Sequence, residues 1–379
     1  MSDLVYDIKS KAHELGFNVA GITSVSPLLQ DDLAFKQWCA AGFAADMEYM
    51  TRRSDLQAYP QTLVPFAQSI ITLAADYYFP APTFEHQGRF GRVARYAWGL
   101  DYHDVVKPRL LKLVAEIESL VGQEVRARCF VDAVPLLERA VAASAAIGFF
   151  GKNTNLLRPK GGSWFFLSEI LLDLDLSANE IPITVSCGTC QRCLTACPTD
   201  AFVSPYVLDS GKCISYLTIE NKGPIPPELR CGIGEWIFGC DVCQEVCPFN
   251  RFAAETKWPE FHPDVGAGAR LDLVEVLSID TDARFRDRFR GTPLTRPKRR
   301  GLLRNAAVVA ANIGATAAVP MLIERIERDP DPLIRSHCLW SLGQLDRSRA
   351  LGLAERAFKN DTESMVQDEA KRILELRAD

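Results

Sequence analysis

Apolar residues recur every three to four positions over residues 4–15 and 29–41, which predicts two amphipathic helices. Residues 69–74, Ser-Ile-Ile-Thr-Leu-Ala, carry no charge and read as a buried strand. Over residues 103–121 the positions of Leu110, Leu111, Val114, Ile117 and Leu120 share one face of a long helix. Residues 125–131 then read as a strand, Pro135 opens a helix that runs to residue 147, and residues 164–174 read as a further strand. Residues 1–175 therefore form an α/β part, within a chain of mixed α+β and α/β character. Regular periodicity stops over residues 176–255, where Gly and Pro are frequent, and this stretch reads as an insert.

Beyond residue 300 the pattern repeats. Leu303-Arg304-Asn305-Ala306-Ala307 aligns with Ile334-Arg335-Ser336-His337-Cys338 and again with Val366-Gln367-Asp368-Glu369-Ala370. Each copy is expected to open a helix, with second helices over 319–328 and 349–358. Helix pairs at a period of about 31 residues read as short HEAT-like repeats, an architecture that offers surfaces more often than chemistry. The expected segments are thus 1–175, 176–255, a linker over 256–300, and repeats over 301–379.

The linker changes the electrostatic picture. The chain is 379 residues long, 47% hydrophobic and 24% charged, with a net charge of −5. Between Arg284 and Arg300, however, eight basic residues stand against one acid, Asp287, and Phe285 and Phe289 alternate with the arginines. Phosphate contact with base stacking needs such a mixture; a solvated charge run is the plain alternative. Arg296, Lys298, Arg299 and Arg300 are the expected nucleic-acid contacts. No apolar run approaches the roughly 20 residues that span a bilayer. The acidic N-terminus lacks a basic leader region, so a cytoplasmic location without membrane attachment is expected.

The candidate chemistry lies in the insert. Cys187, Cys190, Cys193 and Cys197, followed by Pro198, make a C-x2-C-x2-C-x3-C-P run; Cys240, Cys243 and Cys247 precede Pro248. In two-cluster ferredoxins the last cysteine of each run ligates the other cluster. One [4Fe–4S] cluster then takes Cys187, Cys190, Cys193 and Cys247. The second takes Cys197, Cys240, Cys243 and one further thiolate. Ile237 stands where a complete second run would have cysteine, so the fourth ligand is Cys213 or Cys231, with Cys213 favoured. Structural zinc also uses C-x2-C pairs but rarely two successive ones with a crossing C-P. Disulfides do not suit a chain with no export signal. Neither a dinucleotide fingerprint nor a P-loop is present; Gly161-Gly162-Ser163 after Lys160 reads as a turn with at most a phosphate contact. Two clusters imply an electron path to another cofactor or to a partner.

Cys187-Gly188-Thr189-Cys190-Gln191-Arg192-Cys193 and Gly239-Cys240-Asp241-Val242-Cys243 resemble the cluster motifs of the epoxyqueuosine reductase family. Arg95-Tyr96-Ala97-Trp98-Gly99-Leu100-Asp101-Tyr102-His103, Val131-Asp132, Glu138-Arg139-Ala140 and Gly151-Lys152-Asn153 are similar too. So is Cys213-Ile214-Ser215-Tyr216, which by this resemblance supplies the missing ligand. The resemblance implies reduction of epoxyqueuosine to queuosine at the wobble position of tRNA. It also implies cobalamin bound in the N-terminal part, with Lys152, Leu156, Ser163, Leu167 and Ser215 in the segments lining it. Asp132 matches the family's proton donor and Arg139 a tRNA contact. Asp132 could instead cap the helix expected after Pro135. Asp101-Tyr102-His103 lacks the spacing of a D-x-H-x-x-G cobalamin signature, and no histidine need act as lower base. Gln57 departs from the arginine usual in the family.

Two other readings stay open on the sequence. A corrinoid reductase of small molecules would leave the basic stretch unexplained. An electron carrier docking through its repeats would leave the α/β part idle and would bind no corrinoid. The expected partners are tRNA bearing epoxyqueuosine in its anticodon loop and an electron donor the sequence does not identify, acting on a monomer.

Overall fold

The computed structural model describes residues 2–52, 55, 58–83, 88–176 and 180–375; Gln57 lies outside them. Packing divides the chain into two units that do not follow chain order. The first comprises residues 1–80, 99–211 and 241–265, and the second residues 81–98, 212–240 and 266–379. The cysteine-bearing stretch over 176–255 contributes to both.

The first unit is built on a four-stranded sheet in the order Val19–Ser24, Ser69–Asp76, Phe165–Leu172, Ala127–Phe130. Every pairing is antiparallel, so this unit is α+β rather than doubly wound. Ser69–Asp76 and Phe165–Leu172 are the inner strands, and both are buried along nearly their whole length. That explains their unbroken apolar runs, because a strand covered on both faces gains from every apolar side chain. Phe165, Leu167, Glu169 and Leu171 alternate onto one face. There Phe165 and Leu167 pack with Ala142 and Ala145, and Leu171 packs with Val141. The opposite face carries Phe166, which stacks on Tyr102 of the long helix Tyr102–Val121.

The expected helices at the N-terminus appear as Ser2–Glu14 and Leu29–Ala40. The helix expected from Pro135 begins later, as Glu138–Ser144, with Leu137 at its N-cap and no capping side chain. Pro135 belongs to the turn before it. A close approach fixes how this short helix docks: a Cβ on Gly21 would run into the carbonyl oxygen of Ala145.

The second unit holds a small sheet, Trp236–Phe238, Phe90–Val93 and Arg270–Asp272, which periodicity alone did not suggest because its strands are three or four residues long. Around it stand the helices Lys298–Asn312, Val319–Arg328, Pro332–Leu345, Arg347–Asn360 and Ser364–Glu375. The second and third repeat copies lie near helix starts as expected, whereas Leu303–Ala307 sits in the middle of its helix.

The first of these helices carries Arg304 and Asn305, both fully buried. The Arg304 guanidinium donates to the carbonyls of Leu217 (2.6 Å), Asn221 (2.9 Å) and Gly223 (2.6 Å), and to Asn305 Oδ1. Asn305 Nδ2 donates to the carbonyls of Thr218 (2.7 Å) and Ile237 (2.9 Å). These bonds satisfy buried carbonyls in the last turn of the helix Ile214–Ile219, in the turn after it and in the strand Trp236–Phe238. Burial lowers the Arg304 pKa to about 9, which leaves it a cation at neutral pH.

The basic linker corrects one expectation. Residues Asp282–Phe289 form an amphipathic helix whose Phe285 and Phe289 are buried against each other, ring centroids 5.1 Å apart. The alternation with arginine is therefore a helix face, with no rings offered for base stacking. Arg284, Arg288 and Arg290 are exposed and pair with Asp280, Glu275 and Asp287.

Candidate functional site

Asp132 follows the edge strand Ala127–Phe130 and adopts φ +47°, the left-handed region that aspartate tolerates better than most residues. Its backbone N–H is held by Glu138 Oε1 at 3.0 Å. From the other face of the sheet, the Tyr102 hydroxyl donates to Asp132 Oδ2 at 2.6 Å. The carboxyl is exposed. The helix-capping alternative for Asp132 does not hold, because the helix begins six residues later with its own cap position.

Tyr102 is itself fixed. Its ring stacks on Phe166 at 4.3 Å with the planes 9° apart. Asp101 caps its helix by accepting the His103 N–H, and Asp101 Oδ1 also lies 2.7 Å from His103 Nδ1. His103 is thus a structural histidine. The other described histidines are engaged as well: His13 with the Phe17 carbonyl, His262 against Phe79, and His337 with Leu333 and Ile225.

Two further carboxyls lie behind Asp132 and were not anticipated. Glu138 is pushed up to about 8 by burial and by the neighbouring Asp132 carboxylate. Glu169, on the central strand, is completely buried. Burial and the charges of Glu138 and Asp132 push its pKa well above the usual carboxylate range.

The cysteines divide between the units. In the first, Cys187, Cys190, Cys193 and Cys247 converge: burial and the neighbouring Cys187 and Cys247 raise the Cys193 thiol, and Cys187 and Cys190 act in the same sense on Cys247. Four free thiols that act on one another would suit an iron–sulfur cluster, whose metal would withdraw their protons, although no group among the described residues is already closed around a metal site. Lys152 Nζ braces this loop by donating to the carbonyls of Gly188 (2.7 Å) and Cys190 (3.0 Å). Cys197 accepts the Ala201 N–H, and Asn155 Nδ2 lies 3.9 Å from Cys243 Sγ. In the second unit, Cys213 precedes the helix Ile214–Ile219, and Gly239, beside Cys240, donates its N–H to Thr218 Oγ1 of that helix at 2.9 Å. Cys231 is exposed.

The residues expected around cobalamin are placed unevenly. Leu156 and Ser163 are buried, Leu156 in the core cluster with Ala74 and Ala142, and Ser163 bonded to Asn250 and Gln244. Leu167 and Lys152 keep partial exposure. Ser215 is half-buried on its helix in the second unit. A corrin ring needs an apolar wall with few polar groups, and Leu167 at the edge of the apolar cluster fits that need. Gly161-Gly162-Ser163 is a turn closed by the Gly162 N–H to the Arg158 carbonyl at 3.0 Å.

Of the expected nucleic-acid contacts, Arg139 is exposed with its guanidinium on the Thr154 carbonyl. Lys298 and Arg300 are exposed, and Arg300 pairs with Asp331 at 3.0 Å. Arg296 is half-buried. Arg299 departs from its expected role: it is 5% exposed and bonded to Asp329 and the Ile279 carbonyl. It is a buried structural cation.

Among protein families, residues 57–133 match the model described as epoxyqueuosine reductase QueG. Residues 186–250 match the 4Fe-4S double cluster binding domain, and residues 297–375 match HEAT repeats. The epoxyqueuosine reductase of Xanthomonas campestris is 40% identical over 351 residues, covering 90% of this chain and 96% of that protein. A crystal structure of epoxyqueuosine reductase with an epoxyqueuosine-modified tRNA-Tyr stem loop superposes with a TM-score of 0.89 at 29% identity, covering 99% of both chains. The Bacillus subtilis epoxyqueuosine reductase, solved with its catalytic aspartate loop swung out of the active site, superposes at 0.87 with 29% identity, again over 99% of both. With this identity sustained along nearly its whole length, the chain belongs to the epoxyqueuosine reductase family of enzymes.

Proposed function

We propose that the protein reduces epoxyqueuosine to queuosine at the wobble position of tRNA, with Asp132 as proton donor. The observation that carries this reading is Asp132 itself, exposed at a strand end and held at φ +47° between Tyr102 and Glu138. Turning an epoxide into an alkene takes two electrons and two protons and releases water. The oxygen departs poorly as an alkoxide, so a positioned acid lowers the barrier as each C–O bond breaks. Asp132 Oδ2 accepts from Tyr102, which orients the carboxyl.

Cobalamin, when bound, supplies a strongly reducing cobalt centre for this chemistry, and Leu167 and Lys152 are the residues we expect beside it. The two [4Fe–4S] clusters of this reading would supply single electrons, one held by Cys187, Cys190, Cys193 and Cys247, the other by Cys197, Cys213, Cys240 and Cys243. The grouping of the first set within one unit supports its half of this assignment. Arg139, Lys298 and Arg300 are exposed cations suited to tRNA phosphates; Arg296 is a lesser candidate. We place the enzyme in the cytoplasm as a monomer served by a separate electron donor; no described helix is long and apolar enough to cross a membrane.

The test is anaerobic. The protein is reconstituted with iron, sulfide and cobalamin, reduced, and given tRNA bearing epoxyqueuosine; the wobble nucleoside is then identified by mass. Queuosine that requires cobalamin and is lost in Asp132→Ala supports the reading. An unchanged nucleoside from fully loaded protein refutes it.

A further inference from the structure

Within the first unit, the turn Gly161-Gly162-Ser163 meets the second cysteine run. Cys243 and Cys247 stand on a short piece of backbone, the four-residue helix Val242–Glu245 followed by the tight turn Pro248–Phe252. A single helical turn does not hold its own shape in water. Its stiffness must come from bonds to its surroundings.

Ser163, which is buried, supplies them. Its backbone N–H donates to Asn250 Oδ1 at 2.7 Å, and its hydroxyl accepts from Asn250 Nδ2 and from Gln244 Nε2, both at 3.0 Å. The Ser163 carbonyl accepts from Gln244 Nε2 as well, at 3.2 Å. Gln244 directly follows Cys243, and Asn250 stands three residues after Cys247. The loop is also closed on itself: the Gln244 carbonyl accepts the Cys247 N–H at 3.1 Å and Asn250 Nδ2 at 2.7 Å. From the segment before the turn, buried Asn153 donates through Nδ2 to the Cys243 carbonyl at 3.2 Å. The approach leaves no room for a side chain at position 162, because a Cβ on Gly162, whose φ is +70°, would lie 2.0 Å from Asn250 Oδ1. The Ser163 hydroxyl accepts two bonds and donates to Asn250 Oδ1 at 3.3 Å, so its hydrogen-bonding capacity is filled from within the chain.

We propose that the Gly161-Gly162-Ser163 turn is a clamp on the Cys243–Cys247 loop, with Ser163 as a positioning residue for both thiolates. The proposal rests on the reading above that these two cysteines are cluster ligands, Cys243 in one cluster and Cys247 in the other. The Gln244 and Asn250 bonds end on one residue, so loosening Ser163 frees the backbone beside both ligands at once. The Ser163 hydroxyl serves the cluster loop and is not offered to a corrinoid.

The experiment uses the full chain reconstituted with iron, sulfide and cobalamin. Loss of iron to a chelator is followed in time, and the reduced protein is examined by electron paramagnetic resonance. Removing the hydroxyl leaves two buried amide groups short of an acceptor, a loss that corresponds to about tenfold. Ser163→Ala should therefore release iron about tenfold faster and alter the signals of both clusters, while its cobalamin titration follows wild type. Asn250→Ala should do the same, and the double variant should be no worse than the single ones, because the two side chains act as one unit. Wild-type iron retention and wild-type signals in both single variants overturn the clamp and leave the ligand assignment standing. So does a Ser163→Ala protein that loses cobalamin and keeps both clusters, since the hydroxyl would then be a cofactor contact. A wild-type protein that takes up fewer than two clusters refutes the ligand assignment and the clamp together. Should Ser163→Ala fail to fold, Gln244→Ala, at a half-buried position, decides: faster iron release supports the clamp, and wild-type release overturns it.

Discussion

The Tyr102 hydroxyl donates to Asp132 Oδ2 at 2.6 Å from a ring pinned flat on Phe166. The bond joins the start of the helix Tyr102–Val121 to the turn that follows the strand Ala127–Phe130. Tyr102→Phe keeps the stack and deletes the bond. A hydrogen bond to a carboxyl is worth about 1.5–3 kcal/mol, so kcat should fall by about tenfold or more while the melting temperature holds. Steady-state kinetics alongside thermal unfolding check this.

Asp132→Asn separates the acid from the backbone. Asparagine tolerates the left-handed region as aspartate does, so the loop and the bond to Glu138 should persist. Activity should nonetheless drop by about 100-fold or more, the usual worth of a general acid. Binding of modified tRNA, measured by gel shift, should remain near wild type.

Stability should also depend on pH through Glu138. Its pKa of about 8 in the folded protein lies far above the value of about 4.3 for an unfolded glutamate. Between those values the native state binds more protons than the unfolded state, so stability falls as pH rises from 5 toward 8 and levels off beyond. Glu169, also raised, adds to the same slope. Chemical denaturation of wild type and Glu138→Gln across this range should show a shallower slope in the variant.

Cys247→Ser should remove the cluster it shares with Cys187, Cys190 and Cys193 and spare the other, whereas Cys213→Ser should do the reverse. Iron content and electron paramagnetic resonance of the reduced proteins distinguish these from a chain-order assignment, in which Cys197 and Cys247 would exchange places.

The cysteine chemistry was legible because ligand spacing is written along the chain, where Cys187 to Cys197 need no tertiary fold to be counted. Asp132 could be singled out from its strand-end position, but its helix-cap alternative fell only once the helix was seen to start at Glu138. Glu169 was not singled out beside Ser168 in an otherwise apolar strand, because its burial comes from a helix packed across that strand. Phe285 and Phe289 misled for a related reason. Alternating arginine and phenylalanine suits both a stacking surface and a helix with one buried face, and only burial separates them. Arg299 was taken with its exposed neighbours, yet a helix turns neighbouring residues in different directions, and Asp329 receives it inside.

Arg304 has a consequence for the architecture of the reaction. Its guanidinium and the adjacent Asn305 amide tie down the stretch from Leu217 to Ile237, which Cys213 and Cys240 flank. The helix Lys298–Asn312 is thus part of the scaffold that holds Cys213 and Cys240 in place, and cutting the chain before residue 298 would strip the buried carbonyls between them of their partners. A shortened protein should lose electron transfer along with any grip on tRNA, so the tail cannot be treated as a detachable handle for the substrate.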